Sequence, residues 1–211
     1  MLRRIIGLLC CIFVFMQASA QENTGEMKSG IFVSFNDFRK NTPIPFSNII
    51  NNTKSANKID ILDAENTDFI SYTDTSGIQQ RLSVNKIWGI SIDHFLYVRA
   101  GNEFAKIHIF GTLGFFSANV TYGPSLSVMP FSQELYYMDQ LNSYSYITKQ
   151  YIINLLTGNV FEFNQPTMLM LLSDDNSLRE SYSKLSVTEA ETSVFTYLRA
   201  FNSKHPFQFE K

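Results

Sequence analysis

The segment 86–120 constrains the fold of this chain more than any other part of the sequence. It reads KIWGISIDHFLYVRAGNEFAKIHIFGTLGFFSANV, in which apolar and polar residues alternate in runs separated by Asp-His and Ala-Gly-Asn turns. Alternation with a period of two is typical of β-strands, and short turns of this kind join antiparallel neighbours. The segment therefore predicts an antiparallel meander at the centre of the fold.

The alternation within the segment also predicts which side chains face the protein core. In the run 103–110, the polar Lys106 and His108 fall on the face opposite to the apolar residues. A sheet with this pattern packs one face on the core and leaves the other face in water. The side chains expected to face the core are Trp88, Ile90, Ile92, Ala105, Ile107 and Ile109.

The flanking sequence predicts further strands, followed by helices. Runs rich in β-forming residues and bounded by turn residues occur at 30–33, 69–73, 78–84, 113–120, 144–156 and 159–163. Helical spacing of apolar residues then extends from Pro166 to Lys204, where Pro206 stops it. Strands followed by helices are typical of an α+β fold. We expect an antiparallel β-sheet meander, either open or strongly curled and barrel-like, with C-terminal helices packed on it.

Capping patterns predict where the helices begin. A Ser or Thr followed three residues later by Asp or Glu marks a helix start, because each side chain bonds to the backbone N–H of the other residue. Such pairs are Ser34 with Asp37 and Thr188 with Glu191. Val187 is placed to be the hydrophobic staple of the last helix, and Asp174 or Asn176 the cap of the preceding one.

The first twenty residues have the pattern of a secretory signal peptide. Arg3 and Arg4 give a positive start, an apolar run follows over 5–16, and Ala18-Ser19-Ala20 is a small-x-small cleavage pattern. The apolar run is too short to span a bilayer, which takes about 20 apolar residues. We therefore expect export and cleavage between Ala20 and Gln21.

Cleavage would leave a chain without cysteine. Cys10 and Cys11 both lie in the removed segment, and Leu9 stands where a lipoprotein signal has a small residue, which favours ordinary cleavage over lipidation. Disulfides, zinc–cysteine sites and thiol nucleophiles are then excluded. We expect a flexible lead-in over 21–29 and a single domain over 30–211, with no transmembrane segment.

The charge balance argues against nucleic acid and anionic lipid as partners. Removal of Arg3 and Arg4 leaves 15 basic and 19 acidic residues, a net charge near −4. Proteins that bind polyanions usually carry a basic patch, and none is visible in the sequence. The expected partner is an envelope protein or a glycan.

The sequence contains no recognisable catalytic motif. It lacks a Gly-x-Ser-x-Gly elbow, a Gly-rich phosphate loop and an HExxH pair. Asp174 and Asp175 are the one adjacent pair of carboxylates, and their position between two helices favours capping over acid–base chemistry. Glu103 begins a strand beside a turn, where exposure is expected. We predict no catalytic, cofactor-binding or metal-binding residue.

Histidines and tyrosines offer the remaining chemistry. His94, His108 and His205 are far apart in the pattern of elements, so a metal site is not expected. Lys106 and His108 share the wet face of one strand and are the candidate ligand-binding pair. Five tyrosines have rings of a type that stacks on sugars, and they are interpreted mainly as strand residues. They are Tyr136, Tyr137, Tyr144, Tyr146 and Tyr151.

Several segments resemble a known family. GIFVSFNDFRKNTP, IWGISID, LYVRAGNEFAKIHIFGTLGFF, YIINLLTGNVFEFN and FTYLRAFNSKHPFQF, in this order, are similar to an uncharacterised family of exported proteins from Bacteroidota. The resemblance covers most of the mature chain and rests mainly on strand patterns. It implies export and kinship of fold, and because the family has no established activity it assigns no catalytic residue.

The sequence thus predicts an exported, non-catalytic protein with a binding or structural role in the bacterial periplasm or outside the cell. The alternative is a hydrolase acting on envelope or dietary polymers through carboxylates brought together from distant strands. A third possibility is an assembly partner that offers a free sheet edge to another chain.

Overall fold

The computed structural model describes residues 26–50, 68–101, 103–122 and 145–210, with side chains given for 26–50, 68–101, 103–120 and 147–210. The strands are β1 (Gly30–Phe32), β2 (Ile49–Ile50), β3 (Phe69–Thr73), β4 (Gln79–Ser83), β5 (Gly89–Ile92), β6 (Phe95–Ala100), β7 (Glu103–Ile109), β8 (Leu113–Tyr122), β9 (Ser145–Asn154) and β10 (Val160–Glu162). The α-helices are α1 (Phe35–Arg39), α2 (Gln165–Leu171), α3 (Asn176–Ser183) and α4 (Val187–Lys204). Three 3₁₀ turns lie at Phe46–Asn48, Val84–Lys86 and Leu172–Asp174.

Seven strands form one antiparallel sheet in the order β1-β5-β6-β7-β8-β9-β10. From β5 to β10 each strand pairs with the next in the chain, which confirms the predicted meander and the α+β class. In the described part of the chain the sheet is not closed into a barrel, because β1 and β10 stand at opposite ends of the order.

A second sheet of three strands, β2-β3-β4, lies beside the large one. The β3–β4 hairpin turns at Asp74, whose carboxylate accepts hydrogen bonds from the backbone N–H groups of Ser76 and Ile78. Gly77 has a φ of 78°, which a residue without a Cβ adopts at little cost. This is the turn that the sequence predicts over 74–77.

Helix starts confirm one predicted cap and correct two other caps and the predicted hydrophobic staple. Ser34 and Asp37 form the predicted capping box of α1. Helix α3 is capped by Asp175, between the two residues predicted for this role. Helix α4 begins two residues earlier than predicted, with Ser186 and Glu189 as its capping box. Val187 is 63 % exposed and is therefore not a staple.

One face of the large sheet is covered by a layer of aromatic and aliphatic residues. We name this face of the sheet, together with the layer that covers it, the aromatic face. Helix α1, the segment 26–29 and the segment after α4 contribute to this layer. Phe38 is fully buried at its centre and contacts Phe32, Trp88 and Phe207 at ring-centroid distances of 5.5, 4.9 and 5.5 Å. The strands add Leu96, Val98, Ala105, Ile107, Phe116, Ala118, Ile153 and Leu155.

The opposite face of the large sheet is covered in two separate places. The small sheet packs on Ile31, Ile90, Ile92 and Phe104, and the helices α2–α4 pack on Ile109, Phe115 and Ile152. Most of what was expected to be a wet face is therefore buried, because two elements distant in sequence fold onto it. As far as the described residues show, the accessible part of this face is the strip between them, where Phe95 and His108 are exposed.

The six meander side chains predicted to share one core face are divided equally between the two faces of the sheet. On the aromatic face lie Trp88, Ala105 and Ile107, and on the opposite face lie Ile90, Ile92 and Ile109. The register of β7 against β8 shifts between Ile107 and Ile109, so Ile107 contacts the aromatic face and Ile109 contacts the helices. A bulge of this kind reverses the side-chain alternation after it. Trp88 precedes β5, and its N–H donates to the carbonyls of Phe32 and Val33, which leaves the ring on the aromatic face.

Candidate functional site

Lys106 and His108 lie on the accessible strip between the small sheet and the helices. Lys106 pairs with Tyr97 across β6 and β7, and its Nζ lies 3.4 Å from the centroid of the Phe95 ring. Phe95 is 49 % exposed and His108 is exposed. We name these four residues, Phe95, Tyr97, Lys106 and His108, the β7 strip.

The positive charge of the β7 strip is not neutralised by an ion pair in the described part of the chain. Among the described residues, no carboxylate forms an ion pair with Lys106 or His108. The cation–π contact with Phe95 holds the ammonium group near an apolar ring, where an approaching anion meets less competing water. The strip therefore offers hydrogen-bond donors, a cation and an aromatic surface side by side.

Polar side chains of β8 and β9 continue this face beyond the β7 strip. Ser117 pairs with Gln150, and Asn119 with Thr148. The Thr148 hydroxyl donates to Asn119 Oδ1 at 2.9 Å. Glu103, expected to be exposed, is half-buried, and its carboxylate accepts the backbone N–H of Asn119 at 2.7 Å.

The other two histidines have structural surroundings, although His94 directly precedes Phe95 of the β7 strip. His94 occupies the β5–β6 turn with a φ of 69°, and its Nδ1 lies 3.1 Å from Glu26 Oε1. His205 ends α4, where its ring stacks on Phe201 and its carbonyl accepts the hydroxyl of Thr112. Among the described residues, no group of three or more His, Asp or Glu is placed to hold a metal ion.

The carboxylates considered for acid–base chemistry have identifiable structural roles. Asp175 caps α3 and accepts a hydrogen bond from Lys204 Nζ at 2.7 Å. The hydrogen bonds from Lys204, Ser177 and the Leu178 N–H hold the pKa of Asp175 well below its usual value. Asp174 belongs to the preceding 3₁₀ turn. These contacts favour the capping interpretation for Asp175, whereas Asp174 caps neither helix.

The tyrosines yield one described side chain. The Tyr151 ring stacks on Phe116 at a centroid distance of 5.3 Å, which is a packing role on the aromatic face. Tyr136, Tyr137 and Tyr144 lie outside the described residues, as does the side chain of Tyr146.

The described sheet edges carry features that discourage pairing with another chain. Ile31 of β1 and Ile44 exchange two backbone hydrogen bonds, of 2.9 and 2.8 Å. Strand β10 is three residues long, and β4 carries the exposed Arg81. Short strands and edge charges both disfavour strand addition, so these edges give the assembly-partner interpretation little support.

Arg39 is a residue that sequence reasoning missed. It ends the short helix α1, where exposure is the ordinary expectation, yet it is 9 % exposed. Its guanidinium group donates to the carbonyls of Leu155 and Gln208 and to Glu210 Oε1. The alternating Phe-Gln-Phe-Glu sequence after Pro206 was the available signal that this segment docks on the domain.

Membrane-crossing helices are not part of the described structure. None of the helices within residues 26–50, 68–101, 103–122 and 145–210 is long and apolar enough to cross a membrane.

The fold and the site define an α+β protein with an antiparallel sheet, whose accessible strip presents a lysine, a histidine and two aromatic rings. Residues 30–205 match a family described as "Family of unknown function (DUF6563)", and the chain belongs to this family. Comparison with curated proteins and with solved structures found no match.

Proposed function

We propose that the chain is an exported protein of Bacteroidota that acts in the periplasm or outside the cell. Its proposed role there is that of a non-catalytic binding or structural protein. The β7 strip is the surface through which it contacts an envelope protein or a glycan. The observation that carries the binding role is the pairing of Lys106 with the half-exposed Phe95 ring, with no carboxylate partner among the described residues.

Export is supported by the sequence of residues 1–20, with its basic start, apolar run and small-x-small pattern. Glu26 contacts His94, and Met27 is buried against the aromatic face. The family match starts at residue 30. Cleavage between Ala20 and Gln21 would therefore remove neither the described contacts nor any part of the matched region.

A binding role is supported by the composition of the β7 strip and of the polar residues beside it. Aromatic rings flanked by amide, hydroxyl and cationic donors are suited to contact sugars or peptide groups. The hydrolase alternative lacks comparable support in the described part of the chain, because Asp175 caps a helix and Glu103 accepts a backbone N–H.

The export proposal is tested by expressing the full chain in a bacterial host and fractionating the cells. We expect the protein in the periplasmic or medium fraction with an intact mass that starts at Gln21. A control in which Ala18 and Ala20 are replaced by Arg should retain the uncleaved mass. Wild-type protein found in the cytoplasm with its first twenty residues intact would contradict the proposal.

The binding proposal is tested with purified chain from Gln21 immobilised and exposed to separated protein and glycan fractions of the envelope. We expect Lys106→Ala with His108→Ala to reduce capture at least tenfold. The control is Lys40→Ala with Lys184→Ala, which removes two exposed cationic side chains that lie on other elements. Equal capture by both double variants would exclude the β7 strip as the binding surface.

A further inference from the structure

The segment Pro206–Glu210, named here the strap, lies extended against the aromatic face after α4 ends. Phe207 is buried and stacks on Phe38, while Phe209 meets the same ring edge-on at 5.6 Å. Phe110 contacts the other side of Phe207 at 5.3 Å. The side chains of Phe207 and Phe209 thus both point into the domain, and the residue between them, Gln208, is exposed.

Arg39 fixes the backbone and the acidic end of the strap. Its Nη1 donates to the Gln208 carbonyl at 3.1 Å, and its Nε donates to Glu210 Oε1 at 3.2 Å. The Glu210 N–H donates back to the Arg39 carbonyl at 2.7 Å. The guanidinium group also lies 5.1 Å from the centroid of the Phe207 ring. One buried cation therefore contacts a ring, a carbonyl and a carboxylate of the same short segment.

The surface that receives the strap is built by other elements. Phe38 and Arg39 belong to α1, Phe110 follows β7, and Leu155 supplies a carbonyl that also holds Arg39. All four residues lie inside the matched range 30–205, whereas the strap lies outside it. We name Phe38, Arg39, Phe110 and Leu155 the strap-binding surface.

We propose that the strap-binding surface is a peptide-binding site that the chain's own strap occupies. The partner it fits is an extended segment of another protein with two phenylalanines one residue apart followed by a carboxylate. Aromatic anchors, hydrogen bonds to the peptide backbone and a charge-assisted contact are features by which short peptides are recognised, and the strap makes all three.

Occupancy by the strap makes the site self-inhibited. A tethered segment acts at an effective concentration on the order of millimolar, so a free peptide with the same contacts must compete against it. Binding of a partner therefore requires release of Phe207 and Phe209, or a partner segment with tighter contacts. This inference is independent of the β7 strip, which lies on the opposite face.

The test uses a labelled peptide with the sequence of residues 206–211, PFQFEK, and full-length chain from Gln21. Binding is followed by fluorescence anisotropy and by the emission of Trp88, the single tryptophan, whose ring lies 4.9 Å from Phe38. We expect the chain with Phe207→Ser and Phe209→Ser to bind the peptide at least tenfold more tightly than the wild type. A peptide with both phenylalanines replaced by serine should bind neither chain.

Far-UV circular dichroism first establishes that the strap variant is folded. If it is not, Glu210→Gln is the second variant, because it removes one contact and leaves both rings in place; a rise of about threefold in peptide affinity is then expected. Adding Arg39→Lys, which keeps the charge and loses the fork of donors, should weaken peptide binding in either variant.

Two outcomes would overturn the proposal. The first is a folded strap variant that binds the peptide no more tightly than the wild type does. The second is a concentration-dependent wild-type dimer that the strap substitutions abolish, because the occupant would then be the strap of a second copy rather than another protein.

Discussion

Asn202 anchors the last helix to the sheet through a single side chain. Its amide accepts the Leu113 N–H at 2.8 Å and donates to the Leu113 carbonyl at 2.9 Å, so it satisfies both backbone groups of one strand residue. Asn202→Ala leaves both groups without this partner, and each such loss costs about 1–3 kcal/mol. We expect the free energy of unfolding in urea to fall by about 2–4 kcal/mol.

The matched control for this substitution is Ser203→Ala, one residue further on an exposed position of α4. It should change the free energy of unfolding by no more than about 0.5 kcal/mol. Gly111 packs directly on the Asn202 side chain, so Gly111→Ala should destabilise the wild type more than it destabilises the Asn202→Ala variant. If Gly111→Ala lowers the free energy of unfolding equally in the wild type and in the Asn202→Ala variant, the two residues are not energetically coupled.

Asp175 makes stability depend on pH in a direction that its contacts determine. Hydrogen bonds from Lys204, Ser177 and the Leu178 N–H lower the pKa of its carboxyl group in the folded chain. The usual unfolded value is about 3.9. The stabilisation is therefore fully present above that value and is lost as pH falls toward the folded pKa. We expect the stability difference between wild type and Asp175→Asn to be largest at neutral pH and to narrow below about pH 4.

Urea unfolding of both chains at several pH values between 7 and 3 measures this difference. Asp174→Asn is the neighbouring control, because Asp174 is exposed and does not cap a helix. A gap between wild type and Asp175→Asn that stays constant over the whole range would contradict the assignment of the pH dependence to this carboxyl group.

At the scale of residues, the sequence showed neither the long-range partners of side chains nor the burial of Glu103 and Arg39. Strand alternation is local, and it is the basis of the prediction that Lys106 and His108 share one face of β7. The ring under Lys106 comes from the neighbouring strand β6, and the partners of Arg39 and Asn202 come from segments about 90 or more positions away. No periodicity within one element encodes such contacts.

Two sequence patterns predict different N-cap residues for α4, and their spacing alone does not distinguish them. Ser186 with Glu189 and Thr188 with Glu191 have the same spacing, but the Ser186 hydroxyl accepts the Glu189 N–H and forms the capping box. Removal of a helix N-cap costs about 1 kcal/mol. We expect Ser186→Ala to lower the free energy of unfolding by about this amount.

Thr188→Ala is the discriminating partner, because Thr188 lies inside the first turn of α4 and is exposed. Its free energy of unfolding should stay within about 0.5 kcal/mol of the wild type. Denaturation of both variants in urea would decide between the two caps. A larger loss of unfolding free energy for Thr188→Ala than for Ser186→Ala would instead support Thr188 as the N-cap, as the sequence predicted.

Elements with strong local signals were predicted well, and irregular positions were not. The turns at Asp93-His94 and Thr157-Gly158 join β5 to β6 and β9 to β10 as expected, since residues tolerant of positive φ mark such turns. The register shift in β7 has no comparable mark between Ile107 and Ile109. The sequence therefore predicted neither the register shift nor the face of the sheet on which the Ile109 side chain lies.

At the scale of the whole molecule, each of the two faces of the large sheet packs on a separate layer of side chains. Adjacent residues of the same strands supply opposite faces: Phe115 and Ile152 pack on the helices, while Phe116 and Ile153 pack on the aromatic face. The sequence predicted one wet face because it could not show which distant elements return to cover the sheet. Burial of both faces follows from tertiary packing by the small sheet and by α2–α4.

This sharing predicts that the two layers unfold together. Leu198 of α4 is fully buried among the helices, on the face opposite to Trp88. Leu198→Ala should cost about 2–5 kcal/mol through the lost contacts and the cavity. For a chain of this size the unfolding midpoint should fall on the order of 10 °C. Because β8 and β9 belong to both layers, the midpoints from Trp88 fluorescence and from far-UV circular dichroism should fall equally.

Thr196→Ala, at an exposed position two residues away, is the control and should leave both midpoints unchanged. The informative comparison is between the two signals of the Leu198→Ala chain. Coincident transitions would mean that loss of packing on the helical side is transmitted through Phe115 and Ile152 to the aromatic face. If the dichroism midpoint falls while the Trp88 midpoint stays, the layers are separate cooperative units, and the shared strands couple them less than their packing implies.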